Sequence, residues 1–134
     1  FFLVAAFLAF ATGTSWGTFG ILIPIAVAVI GGDNYQGLVL SVTAILSGAV
    51  AGDHASPISD TTILASAGAQ CHHIEHVSTQ LPYVLLLIAC SFVGYIVDGF
   101  TQNGYAGLAV GLLLLGTACA VIRAKVPPID VDET

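Results

Sequence analysis

Charged side chains are scarce in this sequence. Only 7% of its 134 residues are charged, and the mean hydropathy is +0.98. Soluble domains devote about a quarter of their residues to charge. Long apolar runs fill most of the chain, and they are long enough to cross or half-cross a bilayer. The composition therefore predicts an all-α integral membrane protein, embedded in the lipid bilayer.

Basic residues are the scarcest of the charged groups. Arg123 and Lys125 are the only two, and the net charge is −6. A chain without a basic patch has no electrostatic footprint for nucleic acid. Because both basic residues follow the last apolar run, the positive-inside rule predicts a cytoplasmic C-terminus. We expect a multi-pass protein of the cell inner (plasma) membrane.

Methionine is absent, and the first residues lack the basic region of a secretory signal. We therefore expect a C-terminal fragment of a larger protein. The three cysteines, Cys71, Cys90 and Cys119, lack paired spacing, which favours packing roles over a disulfide or metal framework. No Gly-x-Ser-x-Gly or P-loop motif is present, so the sequence predicts no enzyme and no cofactor.

A polar, helix-breaking stretch, Gly52-Asp53-His54-Ala55-Ser56-Pro57-Ile58-Ser59-Asp60-Thr61-Thr62, lies between two long apolar runs. In hydrocarbon a central Asp costs roughly 2.5 to 3.5 kcal/mol, and unpaired backbone groups cost several more. Pro57 removes a donor and disfavours helix at the residue before it. This pattern indicates a functional site on an unwound membrane crossing.

The apolar segments give the expected organisation. Residues 1–30 form either one helix broken near its centre or a re-entrant hairpin, because each arm is about half a bilayer long. Residues 38–69 would be about 48 Å long as one helix, which favours a discontinuous helix. Residues 70–80 are predicted to be an interfacial or aqueous connection. The membrane unit is expected over 1–126, with spanning helices at 81–97 and 105–122 and an acidic tail at 127–134.

The break and the Thr12–Thr18 stretch supply the candidate ligands. A carboxylate that holds either a proton or a hard cation is the minimum device for ion exchange, and hydroxyls complete the cation's shell. We predict that Asp53 is the titrating group and that Asp60 is either a ligand or a helix N-cap. The supporting hydroxyls are expected to be those of Ser56, Ser59, Thr61, Thr12, Thr14 and Ser15, although each could instead satisfy freed backbone amides.

Other residues near the break have structural interpretations. Pro57 shapes the break, and His54 is a candidate for gating or support. Trp16 either anchors the chain at the membrane interface or, if residues 1–30 are a hairpin, packs near the site. His72, His73 and His76 suggest a metal site weakly, because the His-Glu-x-x-His order of zinc enzymes is missing and such a cluster is more often a solvated surface.

The motif residues resemble a known family. The Gly52–Thr62 stretch is similar to the hallmark of NhaC-type sodium/proton antiporters, and the similarity continues through 68–83 and upstream through 12–18. Ala55 departs from the cysteine expected in many members. The resemblance covers most of the chain.

The resemblance implies an ion-transporter fold built from two inverted repeats, each with a re-entrant hairpin followed by a discontinuous helix. On this view the chain is most of the second repeat, and its partner is the missing N-terminal repeat or, in addition, a second copy in a homodimer. Sodium and protons are the implied transported species. Some members instead couple sodium or protons to small carboxylates such as malate and lactate, and the motif does not separate the two groups.

Overall fold

The computed structural model describes residues 1–31 and 34–125, and that part of the chain consists of six α-helices. They are α1 Phe2–Thr12, α2 Ser15–Ile30, α3 Tyr35–Ala55, α4 Asp60–Gly68, α5 His73–Thr101 and α6 Gly104–Lys125. The expected all-α class is confirmed. Three of these helices, α3, α5 and α6, are long and apolar enough to cross a membrane. The acidic tail at 127–134 lies outside the described residues.

The first break falls at Gly13 and Thr14. Gly13 adopts the left-handed conformation, with φ of 69°, and its N–H donates to the carbonyl of Ala9 to close α1. Thr14 is extended and caps α2 by accepting a hydrogen bond from the N–H of Gly17. Two residues are therefore enough to end one arm and begin the next.

Small residues let α1 approach the backbone of α3. Gly48 faces the carbonyl oxygen of Phe2, and Gly52 faces the carbonyl oxygen of Ala6, so that a side chain at either glycine would overlap the backbone of α1. Because Phe2 and Ala6 meet Gly48 and Gly52 in the same order, α1 and α3 run in the same direction. This close contact is the one that small-xxx-small spacing permits.

The second arm packs against the same part of α3. Leu22 and Ala26 of α2 belong to one buried cluster with Ala5 and Ala9 of α1 and with Ile45 and Ala49 of α3. The turn between the arms, at Gly13, lies against Ile58 in the connection between α3 and α4. The two interruptions of the apolar runs therefore meet in space.

The second break, between α3 and α4, lies at the polar stretch around Pro57. The helix α3 ends at Ala55, directly before extended Ser56 and Pro57, and α4 begins at Asp60 after extended Ser59. The expected discontinuous helix at 38–69 is thus observed as two helices, which begin a little earlier, at Tyr35, and end at Gly68.

The start of α5 differs from the sequence expectation. Residues 73–80 were expected to lie in an interfacial connection, but they form the first turns of a helix that begins at His73 and continues to Thr101. His73 and Gln80 there make hydrogen bonds to other parts of the protein, as described below, whereas Glu75 is exposed. At the other end of α5, buried Asp98 accepts a hydrogen bond from the N–H of Gly107 at 2.8 Å and joins α5 to α6.

We expect Gly52→Ala to lower the free energy of unfolding by about 1 to 3 kcal/mol, the usual cost of overpacking, because the new methyl overlaps the backbone of Ala6. Thermal unfolding of the purified protein in detergent measures the loss. Gly20→Ala is the matched control, since nothing lies within 4 Å of a methyl at that position. Equal melting temperatures for the two variants would contradict the close α1–α3 contact.

Candidate functional site

Asp53 lies in the last turn of α3 and is the most deeply buried carboxylate among the described residues. Its side chain is only 3% exposed. One carboxylate oxygen, Oδ2, accepts a long hydrogen bond from the Thr61 hydroxyl at 3.5 Å. The other, Oδ1, is buried and has no hydrogen-bond partner within the described part of the chain. An acceptor in this state is costly, because a buried charge needs compensating partners.

A short chain of hydroxyls approaches this carboxylate. The hydroxyl oxygens of Ser59 and Thr61 are 2.7 Å apart, and the Thr61 hydroxyl in turn donates to Oδ2 of Asp53. Ser59 is fully buried. Buried Thr62 follows, and its hydroxyl has no partner in the region that the structure describes. The structure thus brings Ser59 and Thr61, two of the candidate residues, together with Asp53.

Ser56 has a different environment. Its side chain is fully buried, and its hydroxyl accepts a hydrogen bond from the N–H of Ile58 at 3.4 Å. A serine that satisfies an amide of an unwound segment stabilises the turn itself. Ser56 thus makes a backbone contact, which is one of the two roles considered for it.

Asp60 is exposed and is not the N-cap of α4. The N-cap is Ser59, and Asp60 is the first helical residue, where its Oδ1 accepts a hydrogen bond from the N–H of Thr61 at 2.8 Å. The N-cap prediction was wrong by one position, because extended Ser59 already precedes the first helical residue. A negative charge in the first turn still interacts favourably with the helix dipole.

The hydroxyls of Thr12 and Thr14, at the tip between α1 and α2, bond to backbone groups of their own helices. The hydroxyl of Thr12 donates to the carbonyl of Leu8 at 2.8 Å, while that of Thr14 caps its own helix. Ser15 is half-buried at the start of α2. Trp16 is 82% exposed and packs edge-on against Phe19, so it does not pack against the break within this chain.

Thr18 lies in the predicted Thr12–Thr18 stretch but was not among the hydroxyls expected to support the site. It is 1% exposed and donates to the carbonyl of Thr14 at 2.9 Å. The spacing gave a signal for Thr18, because residues four apart lie on the same face of a helix and Thr14 was already a candidate.

The histidines separate into different environments. His73 contacts the carbonyl of Pro57 at 2.7 Å and the hydroxyl of Ser66 at 3.0 Å. His54 bonds to the carbonyl of Val50 within α3, and His72 is exposed. His76 is half-buried on α5. Across residues 1–31 and 34–125, no group of three or more His, Cys, Asp and Glu side chains is placed to hold a metal ion.

Discontinuous helices form the substrate and ion sites of many secondary transporters, and here a buried carboxylate lies beside the break between α3 and α4. Comparison with known proteins agrees with this class. Residues 1–100 match the model of the Na+/H+ antiporter family, so the chain belongs to that family. The resemblance stated from the motif is confirmed.

Three relatives illustrate the similarity. An uncharacterized Haemophilus influenzae protein is 54% identical over 81% of the chain, and the malate-2H(+)/Na(+)-lactate antiporter of Bacillus subtilis is 39% identical over 72%. An arginine/ornithine antiporter of Halobacterium salinarum is 37% identical over 72%. The chain spans about a fifth of the length of each relative, with 21%, 22% and 20% covered. No solved structure matches it significantly.

Removing the charge of Asp53 tests its environment. We expect Asp53→Asn to raise the melting temperature in sodium-free buffer, because a neutral side chain of the same shape lacks the cost of a buried, half-partnered charge. Asp60→Asn, at an exposed position, is expected to leave it nearly unchanged. A lower melting temperature for Asp53→Asn would show that the carboxylate is fully compensated.

Proposed function

We propose that this chain contributes a cation site to a secondary antiporter that exchanges Na+ for H+, and that Asp53 is the carboxylate that both ions share. The observation that carries the proposal is the buried Oδ1 of Asp53, which has no partner in the described part of the chain. A proton or a sodium ion would each remove that deficit, since both compensate a buried negative charge. Binding of one ion therefore excludes the other.

The hydroxyl chain supports the same role. With Asp53 ionised, the Thr61 hydroxyl donates to Oδ2 and the Ser59 hydroxyl is in reach of Thr61. Hydroxyl groups rotate, so the same oxygens can turn their lone pairs toward a hard cation. The site can then pass between a proton-loaded and a sodium-loaded form through rotation of side chains, with no covalent bond broken.

The arms of residues 1–30 form the second element of the proposed site. We interpret α1 and α2 as a re-entrant hairpin, which is supported by their packing on the same part of α3 and by the contact of Gly13 with Ile58. The remaining ligands would come from sequence outside this chain, in the inverted repeat that the resemblance implies. The positive-inside rule supports a cytoplasmic end for α6 in the plasma membrane.

The transport role of Asp53 has a direct test. The full-length protein is reconstituted in vesicles, and a pH-sensitive dye reports proton movement when sodium is added outside. We expect Asp53→Asn to abolish the sodium-driven pH change, because an amide cannot take up the proton. Asp98→Asn is the matched control, since an amide oxygen there can still accept the hydrogen bond from Gly107. Near-normal exchange by Asp53→Asn would reject the assignment.

A second candidate function is sodium- or proton-coupled exchange of small carboxylates. It is favoured by the 39% identity to a protein named as a malate/lactate antiporter. The N-terminus of α4 at the break is a natural place for an anion, but Asp60 occupies its first turn and would repel one. This repulsion is why cation exchange is the first proposal.

The two candidates differ in what they require. We expect sodium-driven proton movement in vesicles free of any carboxylate, because the site proposed around Asp53 needs only the two cations. Measurements with and without added malate or lactate make the comparison. Exchange that starts only after one of these acids is added would favour the second candidate.

A further inference from the structure

We propose that His73 and Gln80, on the first turns of α5, are positioning residues that hold the break in the shape that binds sodium. This inference rests on the proposed cation site at Asp53. Both side chains make hydrogen bonds to backbone carbonyls at the break, and neither contacts the carboxylate. Their role would be to set sodium affinity through the geometry of residues 54–59.

The break itself creates the need for such contacts. In a continuous helix the carbonyls of His54 and Pro57 would accept hydrogen bonds from the N–H groups four residues later. Pro57 and the extended residues around it end that pattern, so the two carbonyls lose their helical partners. Inside a membrane an unpaired carbonyl is costly, and another element has to supply the donor.

The helix α5 supplies both donors from one face. The Nε2 of His73 is 2.7 Å from the carbonyl oxygen of Pro57, and the Nε2 of Gln80 donates to the carbonyl oxygen of His54 at 3.2 Å. His73 and Gln80 are seven residues apart, or about two helical turns, so they lie on the same side of α5. That side of α5 faces the carbonyls of His54 and Pro57.

The partners fix the chemistry of each donor. A carbonyl only accepts, so the His73 Nε2 carries the proton there. The Ser66 hydroxyl is 3.0 Å from Nδ1 and 2.8 Å from the carbonyl oxygen of Ile63, so in the neutral ring its one proton is shared between these two acceptors. The same argument places the Gln80 amide nitrogen, not its oxygen, toward His54. The Gln80 oxygen is buried and has no partner in the part of the chain described.

These contacts decide which groups are available to an ion. The carbonyls of His54 and Pro57 are held on the α5 side, whereas the hydroxyls of Ser59 and Thr61 lie next to Asp53. Without the donor at His73, the Pro57 carbonyl would seek another partner and residues 56–59 would shift. A small displacement of the hydroxyls weakens cation binding, since ligands must keep their distances to the ion.

The test is sodium-driven exchange by the full-length protein in vesicles, measured over a range of sodium concentrations. We expect His73→Leu to raise the apparent KM for sodium about five- to tenfold, in proportion to the loss of one hydrogen bond, with a nearly unchanged maximal rate. His73→Gln restores an N–H donor near the position of Nε2 and is expected to return the KM to within about twofold of wild type. This rescue separates positioning from general damage to the fold.

Two further variants complete the experiment. His72→Leu is the matched control, because its side chain is exposed and makes no hydrogen bond within residues 1–31 and 34–125; its KM should equal that of wild type. Gln80→Met removes the donor to His54 while keeping the length of the side chain, and it should also raise the KM for sodium. This variant tests the inference even where His73→Leu does not fold. Equal KM values for wild type, His73→Leu and Gln80→Met would overturn the inference.

A second readout keeps this inference distinct from the proposed function. Sodium that binds the folded protein raises its melting temperature by mass action, and no transport is required for the effect. A wild-type protein that shows neither exchange nor a sodium-dependent melting temperature would reject the cation site and the inference with it. A wild-type protein that shows both, with variants that keep the wild-type KM, would reject only the positioning role.

Discussion

The interrupted helix at residues 56–59 is the constraint on which the rest of the structure depends. A membrane helix satisfies its own backbone, and an interruption leaves carbonyls that lipid cannot hydrate. Each neighbouring element supplies a hydrogen bond or a packing contact to the break. Ser56 accepts from an amide of the break, α5 donates to two of its carbonyls, and the turn at Gly13 packs against Ile58. The interruption is tolerated because neighbouring elements satisfy these backbone groups.

Close packing between the backbones of α1 and α3 positions the turn at Gly13 next to the break. Gly48 and Gly52 allow α1 to contact α3 directly, and that contact carries the turn at Gly13 to the level of the break. Larger residues would separate the helices and leave the unwound segment open to lipid. The same feature explains why alanine dominates the cluster between α1 and α3, since packing of small side chains drives helix association in membranes where burial from water does not.

The sequence predicted what local chemistry determines. Pro57 and the glycines placed both breaks, apolar length placed the helices, and the depth of Asp53 within its run predicted a buried carboxylate. The start of α5 was missed because composition alone assigns His73 and Gln80 to water, whereas their partners are carbonyls more than fifteen residues away. The surroundings of Trp16 and the hydrogen bonds of Ser56 likewise depend on tertiary packing, which residue order does not reveal.

The two acids of the break show why position along a helix matters more than residue type. Asp60 begins α4, where an amide and the helix dipole stabilise its charge at an exposed site. Asp53 lies near the end of α3, where the dipole is unfavourable to a negative charge and burial removes water. A chain selected for stability alone would place a neutral residue there. The under-compensated carboxylate is the basis of the proposed exchange, in which an ion would complete it.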